Sequence, residues 1–296
     1  MNVLLTGATG YIGSQLAKKL HNDGYQVAVL ARPISRLDVL QPILPAAQIH
    51  QYDGSMASLV KAIDKSQPEI VFHIASLFLS QHKSEDVARL IESNLTFPTQ
   101  LLEAMSQAGV RKLINTGTSW QHFQNQLYNP VNLYAATKQA FEDILEFYIQ
   151  AHNFKAITLK LFDTYGPEDN RKKLFSLLRD AAQTGNILQL SPGNQLLDLV
   201  YIDDVLNAYL LALQQLNEID KHKLYGIGGV ERVTLRDLVD IYSNTLNCRL
   251  NIKWGGLPYR AREVMEPWKN FENLPGYRPS TSLISGILKM EQYPNY

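Results

Sequence analysis

A chain of 296 residues with 45% hydrophobic and 19% charged side chains can bury a sizeable core, as one large α/β unit with an appended lobe or as two modest domains. Lys and Arg together number 28 and Asp and Glu 28, so no net field draws the chain to nucleic acid or to an anionic membrane. The single cysteine, Cys248, excludes an intramolecular disulfide framework and a cysteine-rich metal cluster, and fits a reducing compartment.

The opening stretch MNVLLTGATGYIG has no basic segment before its apolar run and no cleavage site, so it does not read as a signal peptide. No apolar run approaches the roughly 20 residues that span a bilayer, and a soluble, cytoplasmic protein is expected. Residues 3–5 form a short buried-strand run, and 11–22 follow with apolar residues at helical spacing. Residues 27–30 make a second strand and 48–52 a third. Residues 69–74 are nearly continuously apolar, as a strand covered on both faces should be. A long helix is predicted over 89–108, a strand over 112–115, a helix over 134–151 and a strand over 156–161. This alternation predicts a doubly wound α/β fold, a parallel sheet with helices on both sides.

The rhythm loosens after Tyr165-Gly166-Pro167. Shorter strands are predicted over 187–190 and 250–252, and helices over 203–215 and 235–246. Segments 200–202 and 224–227 are read as returning to the first sheet. The expected division is a first domain over residues 1–166, with return segments near 197–227, and a smaller, discontinuous lobe built mainly from 167–296. A cleft between two such lobes is a usual place for a small ligand.

Thr6-Gly7-Ala8-Thr9-Gly10-Tyr11-Ile12-Gly13 joins the first strand to the first helix. Glycine allows a tight turn and lets backbone N–H groups approach a pyrophosphate, while the helix N-terminus adds partial positive charge. A glycine-rich turn can also simply end a strand. Its place within ten residues of a strand-like start favours dinucleotide binding, with Gly7, Thr9, Gly10, Tyr11, Ile12 and Gly13 as candidate contacts. At the end of the second strand a carboxylate would accept from the ribose 2′-hydroxyl of NAD. Here the chain reads Ala31-Arg32-Pro33-Ile34-Ser35-Arg36, with no acid before Asp38. Arg32, with Ser35 and Arg36 beside it, can pair with a 2′-phosphate, which favours NADPH and leaves NAD possible. The alternative is a solvated loop with two ordinary surface arginines.

Tyr134-Ala135-Ala136-Thr137-Lys138 puts a phenol and an ammonium four residues apart on one helix face. A free phenol titrates near 10, and a neighbouring ammonium is expected to lower that value and ease proton transfer to an alkoxide. An amphipathic helix with a solvated lysine has the same spacing. The preceding strand, however, ends in Thr116-Gly117-Thr118-Ser119, hydroxyls at the sheet edge where ligands sit in open parallel sheets. Thr118 can orient a substrate oxygen beside Tyr134.

With the glycine turn, the hydroxyl-bearing strand end and the Tyr/Lys helix in this order, the sequence resembles the extended short-chain dehydrogenase/reductases of the NAD-dependent epimerase/dehydratase type. The matching pieces are TGATGYIG at 6–13, HIAS at 73–76, TGTS at 116–119, YAATK at 134–138, YGP at 165–167 and VYIDDV at 200–205. The resemblance implies that Tyr134 is the acid/base, that Lys138 binds the nicotinamide ribose and tunes the tyrosine, and that Thr118 is their hydroxyl partner. It also implies that Asp53 and Gly54 lie near the adenine, and that Ala75 and Leu161 line the cofactor groove. A nucleotide-linked sugar as substrate and a homodimer through the helices near 89–108 and 134–151 are further implications.

Within the family, LFDTYGP at 161–167 and the Thr-Ser-Trp of 118–120 look most like reductases of nucleotide-linked 4-keto-deoxyhexoses, such as CDP-abequose and CDP-paratose synthases. Thr118, Ser119, Trp120 and Asp163 are then candidate substrate contacts. Dehydratases of the family carry an Asp-Glu pair beside the catalytic threonine; Ser119-Trp120-Gln121 stands there instead, so dehydration is not expected. Many relatives have Asn in place of Asp163 and Arg in place of Leu197, facing the diphosphate. Arg171, Lys172, Lys173, Arg260 and Arg262 are the candidate compensating cations, unless they form a solvated charge run. The seven histidines show no metal-ligand spacing backed by a carboxylate, and no metal is expected. Trp120, Tyr165, Tyr201, Tyr259 and Trp268 could line a sugar pocket or pack the lobes.

The leading reading is an NADPH-dependent reductase of a nucleotide-linked keto sugar. The alternatives are a nucleotide-sugar epimerase with retained NAD and a non-catalytic NAD(P)-sensing protein.

Overall fold

Strands rich in Val, Ile and Leu alternate with helices that each offer one apolar face, and the two pair by burying those faces against each other. The computed structural model describes residues 1–43 and 47–292. The chain runs β1 (Asn2–Thr6), α1 (Tyr11–Asn22), β2 (Gln26–Ala31), β3 (Gln48–Gln51), α2 (Met56–Ser66) and β4 (Ile70–His73). A long helical stretch follows, α3 (Val87–Ile91), a π-helical turn (Glu92–Thr96) and α4 (Phe97–Gln107). Next come β5 (Lys112–Thr118), α5 (Leu133–His152), β6 (Lys155–Leu161) and β7 (Asp163–Tyr165). The remainder is α6 (Leu174–Thr184), β8 (Leu188–Leu190), β9 (Leu196–Tyr201), α7 (Ile202–Gln215), β10 (His222–Ile227), β11 (Arg232–Thr234), α8 (Leu235–Leu246), β12 (Ile252–Trp254) and α9 (Leu283–Gln292).

Seven strands form one sheet in the order β10-β6-β5-β4-β1-β2-β3, and every neighbouring pair is parallel. This is the doubly wound α/β architecture. Because side chains alternate along a strand, each strand feeds two cores. Val3 and Leu5, with Val27, Val29, Phe72, Ile114 and Ile157, pack against α1 and α7. Leu4, with Ala28, Leu30, Val71, Leu113 and Ala156, packs against α2, α4 and α5.

Several segments depart from the sequence expectation. β5 runs on to Thr118, so the hydroxyls at 116 and 118 belong to the strand itself. The long helix expected over 89–108 is interrupted by the π turn. Helices α2, α6 and α9 and strand β7 were not anticipated, since short amphipathic helices with a solvated face leave no long apolar run. Segment 200–202 does not return to the main sheet. β10 already fills the outer edge of β6, as expected for 224–227, and β9 instead pairs with β7 and β11 in a three-stranded sheet. The strand expected at 250–252 lies two residues later as β12, parallel to β8.

The C-terminal ends of β1 and β4 are tied by one hydroxyl. Thr6 Oγ1 accepts the N–H groups of Ile74 and Ala75, each at 3.2 Å, and donates to His73 Nδ1 at 2.9 Å. His73 is buried and its pKa is held well below the usual imidazole value by burial, with Lys138 adding to the effect, so the ring is neutral and can accept. Thr6→Val keeps the shape and leaves these groups without a partner. It should lower stability by about 1–3 kcal/mol, seen as a lower urea midpoint with unchanged slope; an unmoved midpoint would show that the tie contributes nothing.

Candidate active site

The first turn after β1 is shaped by close approach. Gly7 sits at φ +73°, and a Cβ there would lie 2.6 Å from the Ala75 backbone nitrogen. A Cβ on Gly13 would collide with the Gly7 carbonyl oxygen. Gly10 caps α1 with no side-chain hydrogen bond, so the first N–H groups of that helix are left for an anion. A bulkier turn could not bring backbone donors this near the strand ends. The residues present therefore fit the pyrophosphate of a dinucleotide.

From this turn a cleft of about 610 Å³ runs along the C-terminal edge of the sheet. It gathers Gly7, Thr9, Gly10, Tyr11, Ile12 and Gly13 with Arg32 and Ser35 from the end of β2 and Ala75 from the end of β4. Thr118 from β5, Ser119 and Trp120 from the turn after it, Tyr134 from α5, and Leu161, Asp163 and Arg171 also line it. Arg32 and Ser35 are joined at their backbones, Ser35 N–H to Arg32 O at 2.9 Å and Arg32 N–H to Ser35 Oγ at 3.1 Å. No ion pair engages Arg32 among the described residues.

Other predicted contacts lie elsewhere. Arg36 turns to Asp38, 2.7 Å away, and is not part of the wall. Asp53 accepts from the N–H and hydroxyl of Ser55, which pull its carboxyl down to about 2, and with Gly54 it shapes the start of α2 outside the wall. Lys138 is buried behind Tyr134. Arg260 and Arg262 line a second cavity of about 430 Å³, which adjoins the first through Phe78, Trp120, Asp163 and Lys173.

The phenol is governed by burial. Tyr134 is pushed up to about 12 by desolvation, against a hydrogen bond with Ser76 and the more distant Arg171 that both favour the phenolate. Lys138 is pushed down to about 8, again by desolvation, with Glu142 opposing. The expectation that Lys138 lowers the tyrosine pKa is therefore corrected for this structure. Both groups are dry, and burial disfavours the charged form of each. Thr118 Oγ1 accepts the Trp120 N–H at 3.3 Å, capping a short 3₁₀ turn over Ser119–Gln121.

The cations expected near a diphosphate are mostly occupied. Arg171 makes two 2.6 Å bonds to Asp169, donates to Thr164 O at 3.2 Å and lies 4.6 Å over the Tyr11 ring. Arg262 donates to Asn129 and covers Phe123. Lys173 stands 4.0 Å from Asp163, Arg260 lies 6.0 Å over Trp120, and Asp198, after Leu197, is held by Arg232 at 2.9 Å.

Three cleft or near-cleft groups escaped the sequence reading. Ser76 follows the same logic as Thr118, a hydroxyl just past a strand end, and could have been found that way. Phe78 sits edge-on to Tyr134 at 5.0 Å and 5.7 Å from Trp120. Asn94, in the π turn, accepts from Leu77 N–H at 2.7 Å and donates to Leu77 O and Thr137 Oγ1 at 3.0 Å, holding the 77 segment against α5. Neither Phe78 nor Asn94 carries a local signal. Among the described residues no cluster of His, Cys, Asp or Glu could hold a metal, and no helix is long and apolar enough to cross a membrane.

A parallel seven-stranded sheet with a glycine turn, a strand-end hydroxyl and a buried tyrosine on one cleft, with a buried lysine four residues further along the same helix, defines a nicotinamide-dependent oxidoreductase of the short-chain class. Residues 3–228 match the NAD dependent epimerase/dehydratase family, and the chain belongs to it. It is 27% identical to the CDP-abequose synthase of Yersinia pseudotuberculosis over 275 residues, 93% of this chain and 94% of that one. It is 25% identical to the CDP-abequose synthase of Salmonella typhimurium, covering 96% and 95% of the two chains. Its fold is similar to the crystal structure of UDP-glucuronic acid 4-epimerase from Bacillus cereus with UDP-glucuronic acid and NAD, with TM-score 0.88, 24% identity and coverage of 99% and 98%.

A lysine that titrates near 8 when folded and near 10.4 when free is destabilising below pH 8 and ceases to be so as pH rises through that window. Lys138→Met should raise the melting temperature at pH 7, by about 2–4 °C per kcal/mol released, and the advantage should shrink between pH 8 and 10. A lower melting temperature, or a gain independent of pH, would contradict the desolvation argument.

Proposed function

We propose that the chain is an NADPH-dependent reductase of a nucleotide-linked 4-keto-deoxy sugar. One observation carries the reading: a single cleft holds the glycine turn, an Arg32 at the end of β2 with no ion pair among the described residues, and Tyr134 with Thr118 at the end of β5. The near end-to-end similarity to CDP-abequose synthases supports the substrate class. The Gly7–Gly13 turn and the α1 N-terminus would hold the pyrophosphate, Arg32 and Ser35 the 2′-phosphate, and Lys138 the nicotinamide ribose. Ala75 and Leu161 would flank the groove, with the adenine near Asp53 and Gly54. Bound there, the reduced dinucleotide supplies a hydride to the substrate carbonyl carbon.

Tyr134 supplies the proton. Its raised pKa keeps the phenol protonated at neutral pH, ready to give its hydrogen to the forming alkoxide. Thr118 would orient the oxygen, and Ser76, hydrogen-bonded to Tyr134, lines the same cleft. Ser119, Trp120, Asp163, Arg171, Arg260 and Arg262, on the walls of the two adjoining cavities, would take the sugar and its nucleotide. No acid follows Thr118, so water is not eliminated. Residues 1–166, with returns near 197–227, act in this reading as the cofactor part and 167–296 as the substrate part. A cytoplasmic homodimer belongs to the same reading, with exposed Val87, Ile91 and Phe147 on the expected contact helices.

A nucleotide-sugar epimerase with retained NAD is the second reading, favoured by the fold likeness to an epimerase bound to NAD. A sensor without chemistry is disfavoured by the presence of Tyr134, Lys138 and Thr118 together.

Cofactor titration separates the two enzymes. Arg32→Ala should weaken NADPH binding about 10–100-fold, the loss of one or two charge-assisted hydrogen bonds, while NADH affinity stays within about threefold. Tight NAD that co-purifies, with no NADPH preference in the wild type, would move the epimerase to first place. NADPH oxidation with a panel of CDP-, dTDP-, GDP- and UDP-linked 4-keto-6-deoxyhexoses tests the substrate class, and Tyr134→Phe should lower turnover about 10²–10⁴-fold.

A further inference from the structure

Helix α5 buries a third polar residue on the face that carries Tyr134 and Lys138. Glu142 lies four residues beyond Lys138, is buried, and is not part of either cavity wall. Its Oε2 is 3.2 Å from Nζ of Lys160, a buried lysine on β6. Its Oε1 accepts from Gln121 Nε2 at 2.9 Å. Gln121 also donates to Gln139 Oε1 at 2.9 Å, and its own Oε1 accepts the backbone N–H of Thr118 at 3.0 Å.

The lysine is shared. Lys160 Nζ stands 2.9 Å from His122 Nε2, and His122 Nδ1 is 3.1 Å from the Gln126 carbonyl. A carbonyl only accepts, so Nδ1 carries the hydrogen and Nε2 takes one from the ammonium. Burial and the Lys160 charge push His122 down to about 4, in keeping with a neutral acceptor. The sheet makes room for this network at Gly117. A Cβ there would lie 3.0 Å from both Gln121 Oε1 and Lys160 Cγ, and 3.1 Å from Glu142 Oε1.

A buried ion pair is expensive to desolvate, and an apolar pair of the same size is often at least as stable. Geometry shows what this one does. Glu142 is rigidly joined to Tyr134 by two turns of helix, and through Gln121 to the Thr118 amide. We infer that the Glu142–Lys160 pair, relayed by Gln121, is a positioning device that sets where Thr118 stands relative to Tyr134. The inference rests on the reading of those two residues as the hydroxyl partner and proton donor. Glu142, Lys160 and Gln121 act through the backbone of Thr118 and touch no reacting atom.

The test uses the full-length enzyme and the variants Gln121→Ala, Glu142→Gln and the double variant Glu142→Leu/Lys160→Met. Measured are NADPH affinity, kcat and KM for the keto sugar that wild type reduces, melting temperature, and amide hydrogen exchange. The single variants should bind NADPH within about twofold of wild type and keep KM within about threefold, yet lose about tenfold or more in kcat, since small displacements of an orienting group lower rate rather than affinity. Exchange should quicken about tenfold at 118–122 while β1 and α1 exchange as in wild type. The double variant should melt at or above the wild-type temperature and still lack kcat, which a purely structural role would not produce. Unchanged kcat and exchange in folded single variants, or kcat regained with stability in the double variant, would overturn the proposal. A wild-type enzyme that reduces no keto sugar defeats the functional reading instead, and the exchange arm still reports whether the pair holds the Thr118 turn.

Discussion

The face of α5 bearing Tyr134, Lys138 and Glu142 is dry, and the rest of the site is arranged around that fact. Polar groups removed from water must be paired or must give up their charge. The sheet therefore presents polar atoms where α5 crosses it. Asn115 and Gly117 of β5 and Thr158 and Lys160 of β6 occupy the α5 side, and Asn115 Nδ2 donates to Thr158 Oγ1 at 3.2 Å. Further along the same strands, Leu113 and Ala156 belong to the apolar core. The core is thus apolar at one end of α5 and polar at the end that carries Tyr134 and Lys138.

The glycine turn answers a different constraint, the need for backbone to meet backbone. Gly7 rests against Ala75, and Thr6 ties the same two strand ends through its hydroxyl. Together they hold the N-terminus of α1 at the sheet edge, on the same cleft as Tyr134. The glycine-turn half of the cleft and the half that holds Tyr134 are joined through the segment after β4, which carries Ala75 and Ser76.

Burial also sets the electrostatics. A pairwise argument from sequence lets an ammonium lower the pKa of a phenol. In the folded chain desolvation outweighs that effect, raising Tyr134 and lowering Lys138. The result is a protonated phenol suited to giving a proton, beside a lysine whose charge is weakly held. Arg171, on the wall of both cavities, is also engaged locally, its guanidinium bonded twice to Asp169.

The sequence by itself determined the parallel sheet, the glycine turn and the Tyr134/Lys138/Thr118 set. Each is written in short-range terms: the period of apolar residues, the φ that only glycine tolerates, the four-residue spacing along a helix. The family followed from the order of these pieces. Tertiary structure decided the rest. It placed β9 outside the main sheet because β10 had filled the edge, brought Ser76 and Phe78 to Tyr134, and tied Asn94 to Leu77 and Thr137. It also sent Arg36 and Asp53 to local partners and linked Glu142 to Thr118 through Gln121. The long-range outcomes depend on which groups meet once helices and sheet have packed, as Asn94 meets Thr137 and Glu142 meets Lys160, pairs that come from separate elements of the chain.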